Sequence, residues 1–185
     1  MYWEQPGEAN TEATLKAALA RARELGAEHL VVASNTGRTV ERLLDLGVPP
    51  GTAVVCVTHQ VGFASPGQDE MGQEVRERLR ARGVKLLTAT HLMAGIERAV
   101  SRKFGGLYPG ALVAQALKLL GEGVKVAVEV AVMALDAGLI PHGREVVAVG
   151  GSGRGADAAL VVVPAHSHDF FSTEVREIIC KPRRR

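Results

Sequence analysis

The residues with the most evident chemistry are Ser34, Asn35, Thr36, Gly37, Arg38 and Thr39. Hydroxyl, amide and guanidinium groups are gathered here around one glycine, a set suited to holding an oxyanion such as a phosphate. Three further stretches carry side chains of related kinds. Thr58-His59-Gln60-Val61-Gly62-Phe63 joins a hydroxyl, an imidazole, a glycine and an aromatic ring, and Thr90-His91 repeats the hydroxyl–imidazole pair. Gly150-Gly151-Ser152-Gly153-Arg154-Gly155-Ala156-Asp157 places four glycines in six positions, more than a tight turn requires. Such a run fits a backbone that comes close to a ligand; a plain glycine-rich connection is the alternative.

These stretches have a common setting. Leu30-Val31-Val32 is a short β-branched run of strand character, and Val40 to Leu46 has apolar residues at helical spacing, with Gly47 as a stop. Ser34 to Thr39 therefore joins a strand's end to a helix's start. Unpaired N–H groups and the helix dipole favour negative charge there, Gly37 lets the backbone approach, and Arg38 adds a fork. A capped helix with one surface arginine remains the alternative. Ala53 to Val57 reads as a second strand and Lys85 to Leu87 as a shorter third, each ending in a Thr-His stretch. Glu145 to Val149 is a fourth, ending in the glycine-rich loop, and Ala159 to Val163 follows.

Helices are expected at Thr11 to Leu25, around Met71 to Leu79, from about Leu92 to Lys103, and from Pro109. Met1 to Asn10 reads as an irregular lead-in, and Val175 to Cys180 as an edge strand or a segment along the sheet. Val124 to Val132 alternates like a strand, but its apolar character continues to Leu135 and an Asp136-Ala137-Gly138 ending. That is long for a strand, so a buried helix is expected. Strands alternating with helices imply a largely parallel sheet covered on both faces, whose ligands bind outside the carboxyl ends of the strands. All four polar loops would meet there.

Other chemistries fit less well. Gly151-x-Gly153-x-x-Ala156 has a dinucleotide-fingerprint look, but that motif needs a helix after it and a strand follows. His166-Ser167-His168-Asp169 could offer two imidazoles to a metal, yet no further ligand cluster at fitting spacing supports it, so no metal is expected. No Ser-His-Asp order or carboxylate pair can be placed on one site, and no catalytic residue is assigned. His59 and His91 are either ligand contacts or structural donors.

Composition narrows the class. The chain has 185 residues, 46% of them hydrophobic, enough for one domain with a sizeable core. A formal charge of +2 with four Phe, two Tyr and one Trp gives no basic face interleaved with aromatics, so nucleic acid is not an expected partner. The basic run Lys181 to Arg185 reads as a solvated tail. Cys56 and Cys180 lack metal spacing, and Cys56 sits in an apolar run. Without an uncharged run of membrane length or a signal-like start, a reduced, cytoplasmic protein is expected. Long Val and Ala runs with few aromatics lead us to expect some helix surface buried against a second copy.

The ordered set of these motifs, with Met133 to Ile140 and Glu177 to Arg183, resembles a small family of uncharacterised proteins whose fold is similar to the C-terminal domain of pyruvate kinase. The resemblance implies a three-layer α/β/α sandwich, mostly parallel, with antiparallel last strands. In pyruvate kinase that domain is regulatory, and a Ser-Gly-Arg-type loop holds a phosphate of a sugar bisphosphate; Thr36-Gly37-Arg38-Thr39 stands at its place. The chain lacks that enzyme's catalytic barrel, so phosphoryl transfer is not carried over. Members of the small family hold FMN in the crevice, which implies FMN here, with its phosphate at Ser34 to Thr39. Thr58, Thr90 and the Gly150 to Ser152 backbone would meet the ribityl chain, and His59, Gly62, Phe63 and Met133 the ring. His91, Gly153 and Asp157 complete the expected binding residues. A regulatory or sensor domain for a phosphorylated sugar or nucleotide is the alternative.

Overall fold

The computed structural model describes residues 1–184. Their elements run β1 (Tyr2–Trp3), a 3₁₀ turn (Glu8–Asn10), α1 (Thr11–Leu25), β2 (His29–Ala33), α2 (Arg38–Asp45), β3 (Ala53–Thr58), α3 (Gln73–Ala81) and β4 (Lys85–Thr88). Then come α4 (Gly95–Phe104), α5 (Pro109–Lys118), α6 (Glu122–Asp136), β5 (Val146–Gly150), β6 (Ala158–Val163), a second 3₁₀ segment (Ser167–Ser172) and β7 (Glu174–Pro182). The seven strands form one sheet in the order β1-β7-β6-β5-β2-β3-β4.

Pairing is parallel across β5-β2-β3-β4, so β2, β3, β4 and β5 all end on the same edge. Antiparallel pairing is confined to β5-β6 and β6-β7. The fold is α/β, with a mostly parallel sheet and antiparallel pairing near the C-terminus.

Strand periodicity divides the core into two layers. Leu30 and Val32 of β2 point to one face with Leu15 and Leu19 of α1, Leu43 of α2 and Leu79 of α3. Val31 points to the other, with Val55 and Val57 of β3, Leu160 of β6 and the apolar body of α6. The strand-like alternation at Val124 to Val132 belongs to a helix, as expected. Eleven of the 15 residues of α6 are buried, and a helix enclosed on nearly all sides has no polar stripe to betray its 3.6-residue period.

Three expectations change. The lead-in is not wholly irregular: Tyr2 and Trp3 pair in parallel with Lys181 and Pro182, Met1 donates from its amine to the Ile179 carbonyl at 2.6 Å, and Trp3 Nε1 donates to the Asp157 carbonyl at 2.9 Å. In consequence β7 lies inside the sheet, not at its edge. The helix expected from Leu92 begins at Gly95: a turn fills 92–94, and the Met93 amide within it donates to Glu129 Oε1 at 3.0 Å.

No helix among the described residues is long and apolar enough to cross a membrane.

Candidate functional site

The carboxyl ends of β2, β3 and β4 and the glycine-rich loop after β5 open into one crevice of about 920 Å³. That lies within the ~300–1,000 Å³ usual for small-ligand sites. Ser34, Asn35, Thr36, Arg38, Thr39, Thr58, His59, Phe63, His91, Met133, Gly151 and Gly153 all line it. Gly37, Gly62, Thr90, Gly150, Ser152 and Asp157 are not part of this lining.

The start of α2 forms one wall. Its N-cap is Gly37, and no side chain caps the helix. Ser34 and Thr39 are buried, yet neither hydroxyl has a hydrogen-bond partner among the described residues. Arg38 is exposed and likewise lacks a carboxylate partner among them. Gly37 itself has a packing reason: its φ is +90°, and a Cβ there would lie 2.6 Å from Val75 Cγ1 of α3. The reading in which Gly37 admits a ligand is therefore not needed to explain the glycine.

The glycine-rich loop has packing reasons of the same kind. A Cβ on Gly150 would meet the Ala127 amide at 2.6 Å and the Gly123 carbonyl, so this glycine lets α6 approach β5. Gly151 is pressed on the Gly155 carbonyl, and Gly155 on Thr11; only Gly153 has open space. Asp157 is fully buried and accepts from the amides of Gly7 at 2.9 Å and Ser152 at 3.2 Å, which ties the lead-in to this loop. Close packing within the protein accounts for most of the glycine content.

The opposite wall is aromatic. The His59 and Phe63 rings lie 3.9 Å apart between centroids, and each is 5.1 Å from His91. The Arg98 guanidinium sits 5.7 Å from the Phe63 centroid. His59 Nδ1 is 2.6 Å from Glu70 Oε2. Burial pushes the His91 imidazole below its ordinary value, against the opposing pull of Glu129. Thr58 is directed inward, bonding Thr88 Oγ1 at 2.7 Å, while Gly62 donates to the Gln68 carbonyl at 2.8 Å within its own loop. Thr90 packs beside Gly95 at the foot of α4.

The floor is α6, which contributes Met133, Glu129, Val130, Val126 and Lys125. Lys125 pairs with Glu129 inside the cavity wall, Arg42 with Glu12, and Lys118 with Glu122 at 2.8 Å. Arg38, Arg98 and Arg154 line the crevice without a carboxylate partner among the described residues, while Glu8 and Glu70 line it without a Lys or Arg partner. Sequence reasoning missed Glu70, Arg98, Lys125 and Glu129. The Lys125/Glu129 spacing of four on a helix was a usable signal; Glu70, in a polar loop, offered none.

His166 and His168 lie elsewhere. His166 Nδ1 is 3.0 Å from Asp136 Oδ1 at the far end of α6, and its ring is stacked between His142 at 5.6 Å and His168 at 5.8 Å. Among the described residues no three His, Cys, Asp or Glu side chains converge as metal ligands.

A chain with this sheet, a crevice at its parallel strand ends and antiparallel closing strands falls into a defined class. Residues 12–162 match the family described as "Pyruvate kinase, alpha/beta domain", and the chain belongs to that family. It is similar to a pyruvate kinase from Cryptosporidium parvum at 20% identity, covering 78% of this chain and 21% of the other, with a TM-score of 0.40. A second structure, the same organism's pyruvate kinase in complex with ADP, gives 19% identity, 84% and 23% coverage, and a TM-score of 0.41. The chain thus spans about a fifth of the length of those enzymes.

Proposed function

We propose that the crevice binds FMN, with its phosphate at Ser34 to Thr39 and its ring against His59, Phe63 and Met133. The observation that carries this reading is the open start of α2. An uncapped helix N-terminus, the hydroxyls of Ser34 and Thr39 without protein partners and an unpaired Arg38 stand together on one wall. Each would gain from a phosphate dianion. The ring would lie on the aromatic wall, where His59, Phe63 and His91 offer flat apolar surface beside polar edges.

The second reading is a regulatory domain for a phosphorylated sugar or nucleotide, with no chemistry of its own. Arg154 favours it, since this unpaired cation on the β5–β6 loop could take a second phosphate.

Calorimetric titration with FMN and with riboflavin separates the possibilities. FMN is expected to bind far more tightly than riboflavin. Arg38→Ala is expected to cost about 1.5–3 kcal/mol of FMN affinity, the scale of a charged hydrogen bond, and to leave riboflavin nearly unchanged. Equal affinity for the two ligands would show that the phosphate does not sit at α2, and absence of FMN binding alongside binding of a sugar bisphosphate would favour the second reading.

A further inference from the structure

Glu70 approaches His59 from the loop ahead of α3, and this loop is firmly held. Arg76, itself buried, pairs with Asp69 at 2.7 Å, donates to the Met71 carbonyl at 3.2 Å and donates to Thr88 Oγ1 at 2.8 Å. Asp69 and Met71 flank Glu70, so its carboxylate is placed by clamps on both sides. A carboxylate can only accept a hydrogen bond, so the proton in the His59–Glu70 contact belongs to Nδ1. The other ring nitrogen, Nε2, has no partner among the described residues. The ring is fixed in the crevice wall by Phe63 on one side and the edge of His91 on another. An imidazole whose tautomer and orientation are set by a carboxylate, with its second nitrogen free, is the arrangement that makes histidine an acid–base group.

We propose that His59 is a general acid–base residue, oriented by Glu70, that takes a proton from a hydroxyl or ring N–H of a phosphorylated ligand in the crevice and returns it. This rests on the crevice being the ligand site and holds whether or not the ligand is FMN. The Nε2 lone pair takes the proton, the O–H or N–H bonding pair stays on the ligand atom, Nδ1 keeps its own proton in the hydrogen bond to Glu70, and the Nε2 proton then returns to the ligand or passes to solvent. No electrons are transferred. The charged and titratable groups that share the crevice with the ring include Glu70 ahead of α3, His91 after β4, Arg98 on α4, and Lys125 and Glu129 on α6. His59 is the catalytic residue of this step and Glu70 a positioning residue.

The probe is p-nitrophenyl acetate, an ester that a free imidazole nitrogen cleaves by direct attack or through water, releasing p-nitrophenolate and acetate. Initial rates are measured with the full chain, with and without FMN. His59→Asn is expected to lose about fivefold or more of the protein-dependent rate, a modest share of what acid–base groups contribute on true substrates. Glu70→Gln keeps a hydrogen-bond acceptor but removes the carboxylate, and is expected to lose about threefold or more of the same rate, while Glu70→Asp, which keeps the carboxylate, recovers most of it. A purely structural role would lower the rate only in step with the melting temperature, and the conservative variant would not restore it. His168→Asn, away from the crevice, measures what an exposed imidazole contributes by itself, and its loss is expected to be smaller than that of His59→Asn. A His59→Asn rate within about twofold of wild type, at an unchanged melting profile, overturns the proposal, as does a wild-type rate in Glu70→Gln. If FMN fails to bind while both variant effects appear, the proton-transfer role stands and the FMN reading falls. If FMN binds and neither effect appears, the reverse holds.

Discussion

Helices α6 and α4 flank the same crevice, yet they are attached to the molecule in different ways. α6 buries Val124, Val128, Ala131 and Leu135 against β2, β3, β5 and β6. α4 has no buried residue; Ile96 is 80% exposed and Phe104 72%. What fixes the α4 side lies at its ends: Leu92 packs on the core, Glu129 accepts from the amide of buried Met93, and Glu97 accepts from the Gly110 amide of α5 at 2.9 Å. One wall of the site is thus part of the core, and the other is fastened to it at a few points. Exposed Ile96 and Phe104 show that an apolar side chain is buried only where the topology supplies a partner surface.

This contrast makes a direct stability prediction. Leu135→Ala is expected to cost about 2–5 kcal/mol in urea denaturation, the range for emptying a core position. Ile96→Ala is expected to stay within about 0.5 kcal/mol. Comparable losses at the two sites would remove the distinction between a core wall and a fastened one. A smaller effect sharpens it at the other end of α6. Gly150→Ala must push a methyl group toward the Ala127 amide and the Gly123 carbonyl, and backbone cannot rotate aside as a side chain can. A loss of about 1–3 kcal/mol is expected, as for other overpacked positions. An unchanged denaturation midpoint would mean that α6 is not seated on β5 as described.

The same contrast explains what could be read from the sequence. Strands β2, β3, β5 and β6 and helices α1 and α6 are written in local pattern, since β-branched runs and stop glycines report burial directly. Placing polar loops at parallel strand ends then located the crevice. β1 could not be read, because two residues carry no periodicity and their pairing rests on distant partners, the Ile179 and Asp157 carbonyls. The interior place of β7 follows from β1 and was hidden with it. The turn at 92–94 ahead of α4 holds its Met93 amide on Glu129, 36 residues away, a partner that no local pattern supplies. In the site, Ser34 to Thr39 could be recognised as polar residues before a helix, but their lack of protein partners is a tertiary property. Glycines misled in the opposite direction. The needs of Gly37, Gly150 and Gly155 come from Val75, α6 and Thr11, which no local reading supplies.

The smallest expected effect concerns His91, where the fastened wall begins. Burial there outweighs the attraction of Glu129 and holds the imidazole below its ordinary value. The folded state therefore binds a proton at His91 less readily than the unfolded chain does. Below about pH 6.5, where an unperturbed imidazole takes up its proton, the unfolded state holds more protons. Stability contributed by the neutral ring is complete above that pH and is lost as the pH falls toward the folded-state value. His29, also lowered by burial, adds a loss of the same sign from the start of β2. A single wild-type curve thus cannot assign the slope, whereas His91→Gln removes one of the two groups and is expected to flatten the acid-side fall without abolishing it. Urea midpoints measured across the acid side of neutrality, in both proteins, read this directly. If the α4 side stood open to water, His91 would be hydrated, its value would be ordinary, and the two curves would have the same slope. Superimposable slopes would therefore refute the fastened wall at the residue where the crevice meets it.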